Sequence, residues 1–132
     1  GAGTGRYAQA IEIGPHRLVA DEPQGADGGD AGANPHEIAL AGLGACTAIT
    51  LRMYAVMKKL DLRDVVVSLS YVRVDGAGPD GKPAKVDRVT REIELVGDLD
   101  DAARNRLLQI AERCPVHRMM TGYATFETRL KA

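Results

Sequence analysis

The pattern of apolar and polar positions is dominated by one stretch, Asn34 to Leu60, in which Ile38, Leu43, Cys46, Ile49, Met53, Val56, Met57 and Leu60 recur mostly at three- and four-residue intervals. That spacing predicts a helix. Asn34 suits its N-cap, Pro35 its first position, and Glu37 completes an Asn-x-x-Glu capping box. Ala39, Ala41, Gly42, Gly44, Ala45 and Ala48 keep its first half thin, so another backbone can come close. Charge is almost absent between Glu37 and Arg52, which leaves about four turns apolar on nearly every side. Such a helix must be enclosed by other elements or by a second chain. Gly42, Gly44, Thr47, Thr50 and Arg52 dilute the run below the roughly 20 apolar residues of a membrane span, so no membrane is expected as a partner.

Around this helix the pattern switches to period two. Arg6 to Gly14 alternates, and Gly14-Pro15 turns it into His16 to Ala20, an N-terminal hairpin. Asp21 to Ala33 has no periodicity, four Gly and four acidic residues, and reads as a loop feeding the helix. Asp61 to Asp64 are expected to close the helix. Val65 to Asp75 and Val86 to Val96 then form an antiparallel pair across a turn at Gly76 to Ala84, with Val65, Val67, Leu69 and Tyr71 on one face. Val89, Ile93 and Leu95 serve the second strand less regularly. Asp98 is the expected cap of a second helix carrying Leu99, Ala102, Ala103, Leu107, Ile110, Ala111 and Cys114, which Pro115 ends or kinks. Val116 to Met120 adds one more turn, and Tyr123 to Leu130 alternates as a last strand. The order ββ-α-ββ-α-β is α+β rather than a βαβ series, in a single domain of 132 residues.

Composition narrows the function. With five aromatics and no Trp, the core must be aliphatic. Seventeen basic against eighteen acidic residues, with no basic block, argue against nucleic acid as a partner. No N-terminal segment has the order of a signal peptide, although the chain opens Gly1-Ala2-Gly3 without an initiator Met, and a cytoplasmic protein is expected. In a reducing compartment two Cys 68 positions apart read as buried core thiols or as a redox couple rather than a structural disulfide.

The candidate chemistry therefore lies with Cys46 and Cys114. A Cys on an apolar helical face is commonly a small core residue, and the same two thiols could pair if their helices packed face to face. A zinc site from both Cys with His36 and His117 is disfavoured, because only one loose pair, Cys114-x-x-His117, has local ligand spacing. No metal or cofactor is expected. No nucleophile elbow, phosphate loop or dinucleotide fingerprint is present.

Asn34-Pro35-x-Glu37, Leu40-Ala41-Gly42-Leu43-Gly44-Ala45-Cys46-Thr47, the continuation through Leu51-Arg52-Met53-Tyr54-Ala55, and Cys114-Pro115-Val116-His117 together resemble the OsmC/Ohr superfamily of osmotically inducible and organic hydroperoxide resistance proteins, in its OsmC-like branch. The resemblance covers nearly the whole chain. It implies an intertwined α+β homodimer, with central helices enclosed by sheets and sites at the dimer interface. It also implies that Cys46 is the peroxidatic Cys and Cys114 the resolving Cys. Cys46 would attack the O–O bond of a small apolar hydroperoxide, become a sulfenic acid, and condense with Cys114 to a disulfide that a cellular dithiol reduces. Two readings from other classes compete: a dimer that binds a small apolar ligand without turnover, and a Cys-dependent hydrolase or acyl carrier.

The chain departs from the family's well-characterised peroxidases at two places, with His36 where they have Glu and Ala26 where they have a loop Arg. Glu37 follows one place later, and on a straight helix it projects away from Cys46, while His36 lies about 15 Å from Cys46 along the axis. An ordinary thiol is only a few per cent thiolate at neutral pH, and apolar neighbours disfavour the charge further. The helix dipole fades within its first turn and does not reach Cys46. A cation is thus expected from elsewhere, Arg17 first, then Arg6 and Arg118.

Overall fold

A computed structural model describes residues 5–122 and 124–131. The elements are β1 (Gln9–Ile13), β2 (His16–Ala20), a short 3-10 turn (Gln24–Ala26), α1 (Pro35–Lys58), β3 (Asp61–Ala77), β4 (Pro83–Asp98), α2 (Asp101–Ala111) and α3 (Pro115–Thr121). The chain is α+β, as its pattern predicts, and its strands form two antiparallel two-stranded sheets, β1-β2 and β3-β4. It divides into two compact units, residues 1–42 and 43–132, with α1 running from one into the other.

In the first unit the β1-β2 hairpin pairs Gln9 with Ala20 through Ile13 with His16, and Gly14 supplies the left-handed conformation of its turn. The acidic stretch that follows is more ordered than a featureless loop. The buried Asp21 carboxylate accepts the N–H groups of Glu22 (2.8 Å) and Ala31 (3.1 Å), while the Asp21 N–H donates to the Ala33 carbonyl (3.1 Å). These bonds close residues 21–33 on themselves and deliver Asn34 to the helix start. There the capping box forms: Asn34 Oδ1 accepts the Glu37 N–H (2.9 Å) and Glu37 Oε1 accepts the Asn34 N–H (3.0 Å).

At its other end α1 stops because Lys59 turns left-handed (φ 56°), with Lys59 N–H on Val56 O and Leu60 N–H on Ala55 O. This is the Schellman closure, built here on a residue other than glycine. No separate segment is needed to close the helix, so β3 begins at Asp61 rather than at Val65. The polar run Asp61 to Asp64 belongs to the ladder for a specific reason. The Asp61 carboxylate accepts the Asp98 N–H (3.2 Å) and two bonds from Arg63, and chiefly the Arg63 bonds hold its carboxyl below the usual range. The ladder runs from Asp61 opposite Asp98 to Ala77 opposite Pro83, interrupted only where Arg63 bulges out. β4 is correspondingly longer than Val86 to Val96, and the connecting turn shrinks to residues 78–82.

Three further expectations change. Asp98 is the last residue of β4, and the N-cap of α2 is Asp100, which accepts the Ala103 N–H (2.7 Å). α2 ends at Ala111, before Cys114, and Pro115 opens the separate helix α3. The last expected strand, Tyr123 to Leu130, begins at a residue outside those described. Residues 124–130 form no strand, and Phe126 (89% exposed) and Leu130 (98%) are uncovered. An alternating segment becomes a strand only against a free ladder edge, and none in the described residues pairs with it.

The core of the second unit is aliphatic: Leu51 of α1, Val65 of β3, and Leu107, Ile110 and Ala111 of α2, flanked by Tyr54, Val67, Ile93, Leu95 and Leu99. The thin part of α1 meets the sheet closely, since a Cβ on Gly44 would lie 3.0 Å from Leu69 Cδ1. However, the inward face of α1 is Leu43, Thr47, Leu51 and Ala55, whereas Ile49, Met53, Val56 and Met57 of the expected stripe are exposed. α1 is apolar on two sides, and the described residues bury one. By length and composition alone it would also suffice to cross a membrane, but its inward face is part of the core just described.

Candidate functional site

The inward face of α1 places Thr47 at the centre of a polar cluster. Thr47 is fully buried (0% exposed), and its hydroxyl donates back to the Leu43 carbonyl (2.7 Å). With its one proton so used, the oxygen is free to accept, and Arg91 Nη1 donates to it at 3.0 Å. Cys114 Sγ lies 3.8 Å from the same oxygen. Cys46 precedes Thr47 by one residue, about 100° around the helix, and is half-buried.

Cys114 reaches this point through Pro115. A residue before proline is driven to extended backbone, and Cys114 (φ −64°, ψ 140°) is thereby the N-cap of α3, with Pro115 at its first position. Its sulfur occupies the place of a capping oxygen and accepts the His117 N–H at 3.2 Å. The side chain is fully buried (0%), and both thiols are free.

Arg91 reaches the cluster from β4, opposite Leu69, on the inward face shared with Ile93 and Leu95. Its side chain is only 11% exposed, and it is held on two sides: Nη2 bonds His117 Nδ1 (3.2 Å) and lies 3.5 Å from Glu112 Oε2. Glu112 also accepts from His117 Nε2 at 2.8 Å, closing a ring of three side chains. Since a guanidinium can only donate, His117 Nδ1 is the acceptor and Nε2 carries the proton given to Glu112. The charge of Arg91 is thus balanced by Glu112 and directed at Thr47.

The other residues singled out from the sequence lie elsewhere. Arg17 is exposed on β2 and ion-paired with Glu12 (3.8 Å), Arg6 stacks over the Tyr7 ring (5.3 Å), and Arg118 is exposed on α3. His36 is exposed on the first turn of α1, and Glu37 is engaged in the capping box. The residues that sequence reasoning missed as a set are Thr47, Arg91, Glu112 and His117. One signal was available: in Val89-x-Arg91-x-Ile93-x-Leu95 the Arg occupies an inward position of the strand. Among the described residues no group of three or more His, Cys, Asp or Glu side chains is placed to hold a metal ion.

Fold and site define an α+β protein with one thiol on a long helix and a second buried against the next residue of that helix. The chain belongs to the OsmC-like protein family, whose model matches residues 27–129. Solved structures agree on the fold. An OsmC-like protein from Mycoplasma pneumoniae is 18% identical with a TM-score of 0.70, over 87% of this chain and 79% of that one. An organic hydroperoxide resistance protein OsmC from Legionella pneumophila is 23% identical (TM-score 0.59, 87% and 88% covered). An organic hydroperoxide resistance protein from Elizabethkingia anophelis, with thiocyanate bound, is 20% identical (TM-score 0.58, 88% and 87% covered). No curated protein matches the chain.

Proposed function

We propose that this protein is a thiol-dependent peroxidase that reduces organic hydroperoxides, working as a homodimer in the cytoplasm. The observation that carries the reading is the placement of the buried Cys114 sulfur 3.8 Å from the hydroxyl of Thr47, the residue next to the half-buried Cys46. Membership of the OsmC-like family and the hydroperoxide resistance proteins among its structural neighbours support the same chemistry.

In the first step the Cys46 thiolate attacks the distal oxygen of ROOH. The O–O bond breaks, ROH leaves after taking up a proton, and the sulfur is oxidised by two electrons to the sulfenic acid Cys46–SOH. In the second the Cys114 thiolate attacks that sulfur, an S–S bond forms, and hydroxide leaves to be protonated to water. A cellular dithiol then reduces the disulfide by exchange and is itself oxidised. Of the two thiols, the more accessible Cys46 suits the first step, and the enclosed Cys114 suits a step that excludes competing oxidants.

Steady-state turnover of cumene hydroperoxide with a dithiol reductant tests the scheme. Wild type should turn over, and Cys114→Ser should give a single burst of sulfenic acid on Cys46 with sustained turnover lost. Undiminished turnover in Cys114→Ser, or no oxidation of Cys46 at all, contradicts it.

A further inference from the structure

Resting on the disulfide-forming reading above, we propose that Arg91 and Thr47 are positioning residues for the second thiol: braced by Glu112 and His117, Arg91 fixes the Thr47 hydroxyl against Cys114 and readies that thiol for attack on oxidised Cys46.

The Thr47 hydroxyl can make only a small set of bonds. It has one proton and two lone pairs. Arg91 Nη1 occupies one lone pair, and the proton rests on the Leu43 carbonyl, which leaves the second lone pair facing the Cys114 S–H. When Cys114 loses its proton, the hydroxyl can rotate and donate to the sulfur instead. The thiolate then has two donors, Thr47 O–H and His117 N–H, with the guanidinium one hydroxyl away. Leu43 loses a bond within the helix that its carbonyl can share with the backbone. Arg91 sets the direction of this exchange, because a hydroxyl whose one lone pair is pinned by a cation is the better donor through its proton.

Among the described residues, the polar side chains bonded in this cluster are Arg91 from β4, Glu112 from the turn after α2, His117 from α3 and the neutral Thr47 from α1, and the cations Arg113 and Arg118 that flank Cys114 in the chain are exposed. Glu112 balances Arg91 at 3.5 Å but points its shorter contact, 2.8 Å, at His117. The bracing therefore holds the guanidinium without taking it away from Thr47. The cation that sequence reasoning sought for Cys46 is in this chain placed beside the residue that meets Cys114.

The experiment compares Thr47→Val and Arg91→Met with the conservative variants Thr47→Ser and Arg91→Lys. After one equivalent of cumene hydroperoxide, the rate at which the sulfenic acid converts to disulfide is followed across pH, and the rate of sulfenic acid formation is followed separately. Thr47→Val and Arg91→Met should slow disulfide closure at neutral pH by roughly tenfold or more, about the worth of one charge-assisted bond. Closure should recover at alkaline pH, and Thr47→Ser should restore most of the rate. Equal slowing of both steps at every pH, or closure at the wild-type rate in Thr47→Val, overturns the proposal. If no sulfenic acid forms in any variant, the peroxidase reading fails by itself. The role of Arg91 is then decided by the thiolate absorbance of Cys114 in the Cys46→Ser background, which should fall at neutral pH when Arg91→Met or Thr47→Val is added and overturns the proposal if unchanged.

Discussion

Arg91 is the residue at which strand pattern and chemistry meet. The alternation Val89, Ile93, Leu95 is irregular because the position between Val89 and Ile93 is a cation facing the core, and a largely enclosed cation needs the partners that Glu112, His117 and Thr47 provide. That much was legible as an anomaly in the sequence. Its partners were not, because Glu112 and His117 are distant in the chain and meet Arg91 only once Pro115 has separated α2 from α3. Replacing Arg91 by Met keeps the stem but orphans this set, and should lower stability by about 1–3 kcal/mol in urea unfolding. Gly97 is a different case, dictated by backbone alone. Its φ is 154°, and an added Cβ would lie 1.9 Å from the Asp61 carbonyl oxygen across the bulge. Gly97→Ala should therefore destabilise by roughly 2–4 kcal/mol, with the midpoint rather than the slope of the urea transition moving.

At the scale of elements, local bonds announced by a residue pattern were legible, while those made by residues without such a pattern, or by distant partners, were not. The start of α1 follows from Asn34, Pro35 and Glu37 within one turn, and Asn34→Ala should cost about 1 kcal/mol by removing the acceptor for Glu37 N–H. Its end is made by Lys59 in a left-handed conformation, which a non-glycine residue adopts at a cost. Lys59→Gly should accordingly stabilise the protein by roughly 0.5–1 kcal/mol, read as a rise in the thermal midpoint. β3 starts four residues earlier than its apolar pattern shows because Asp61 is stabilised by Arg63 and by the Asp98 N–H, the second of these from the far end of β4. The cap of α2 shifts from Asp98 to Asp100 for the same reason, as Asp98 is already used by the ladder.

At the scale of the whole molecule, α1 has a second apolar side, Ile49, Met53, Val56 and Met57, that is exposed among the described residues, and Phe126 and Leu130 are exposed as well. A second copy of the chain is the covering we propose, which also gives the C-terminal segment an edge to pair with. Sedimentation at micromolar concentration should then return twice the 14.1 kDa of one chain, and Met53→Glu with Val56→Glu should shift it toward the monomer. A wild-type monomer would remove the homodimer from the account. The central claim, that Cys46 and Cys114 act as one redox couple, is tested most directly by counting thiols after a single equivalent of cumene hydroperoxide. Both free thiols should disappear together, and digestion should yield a peptide pair joined Cys46 to Cys114 within one chain. Retention of a free Cys114 thiol beside an oxidised Cys46, with no intrachain disulfide, would contradict it.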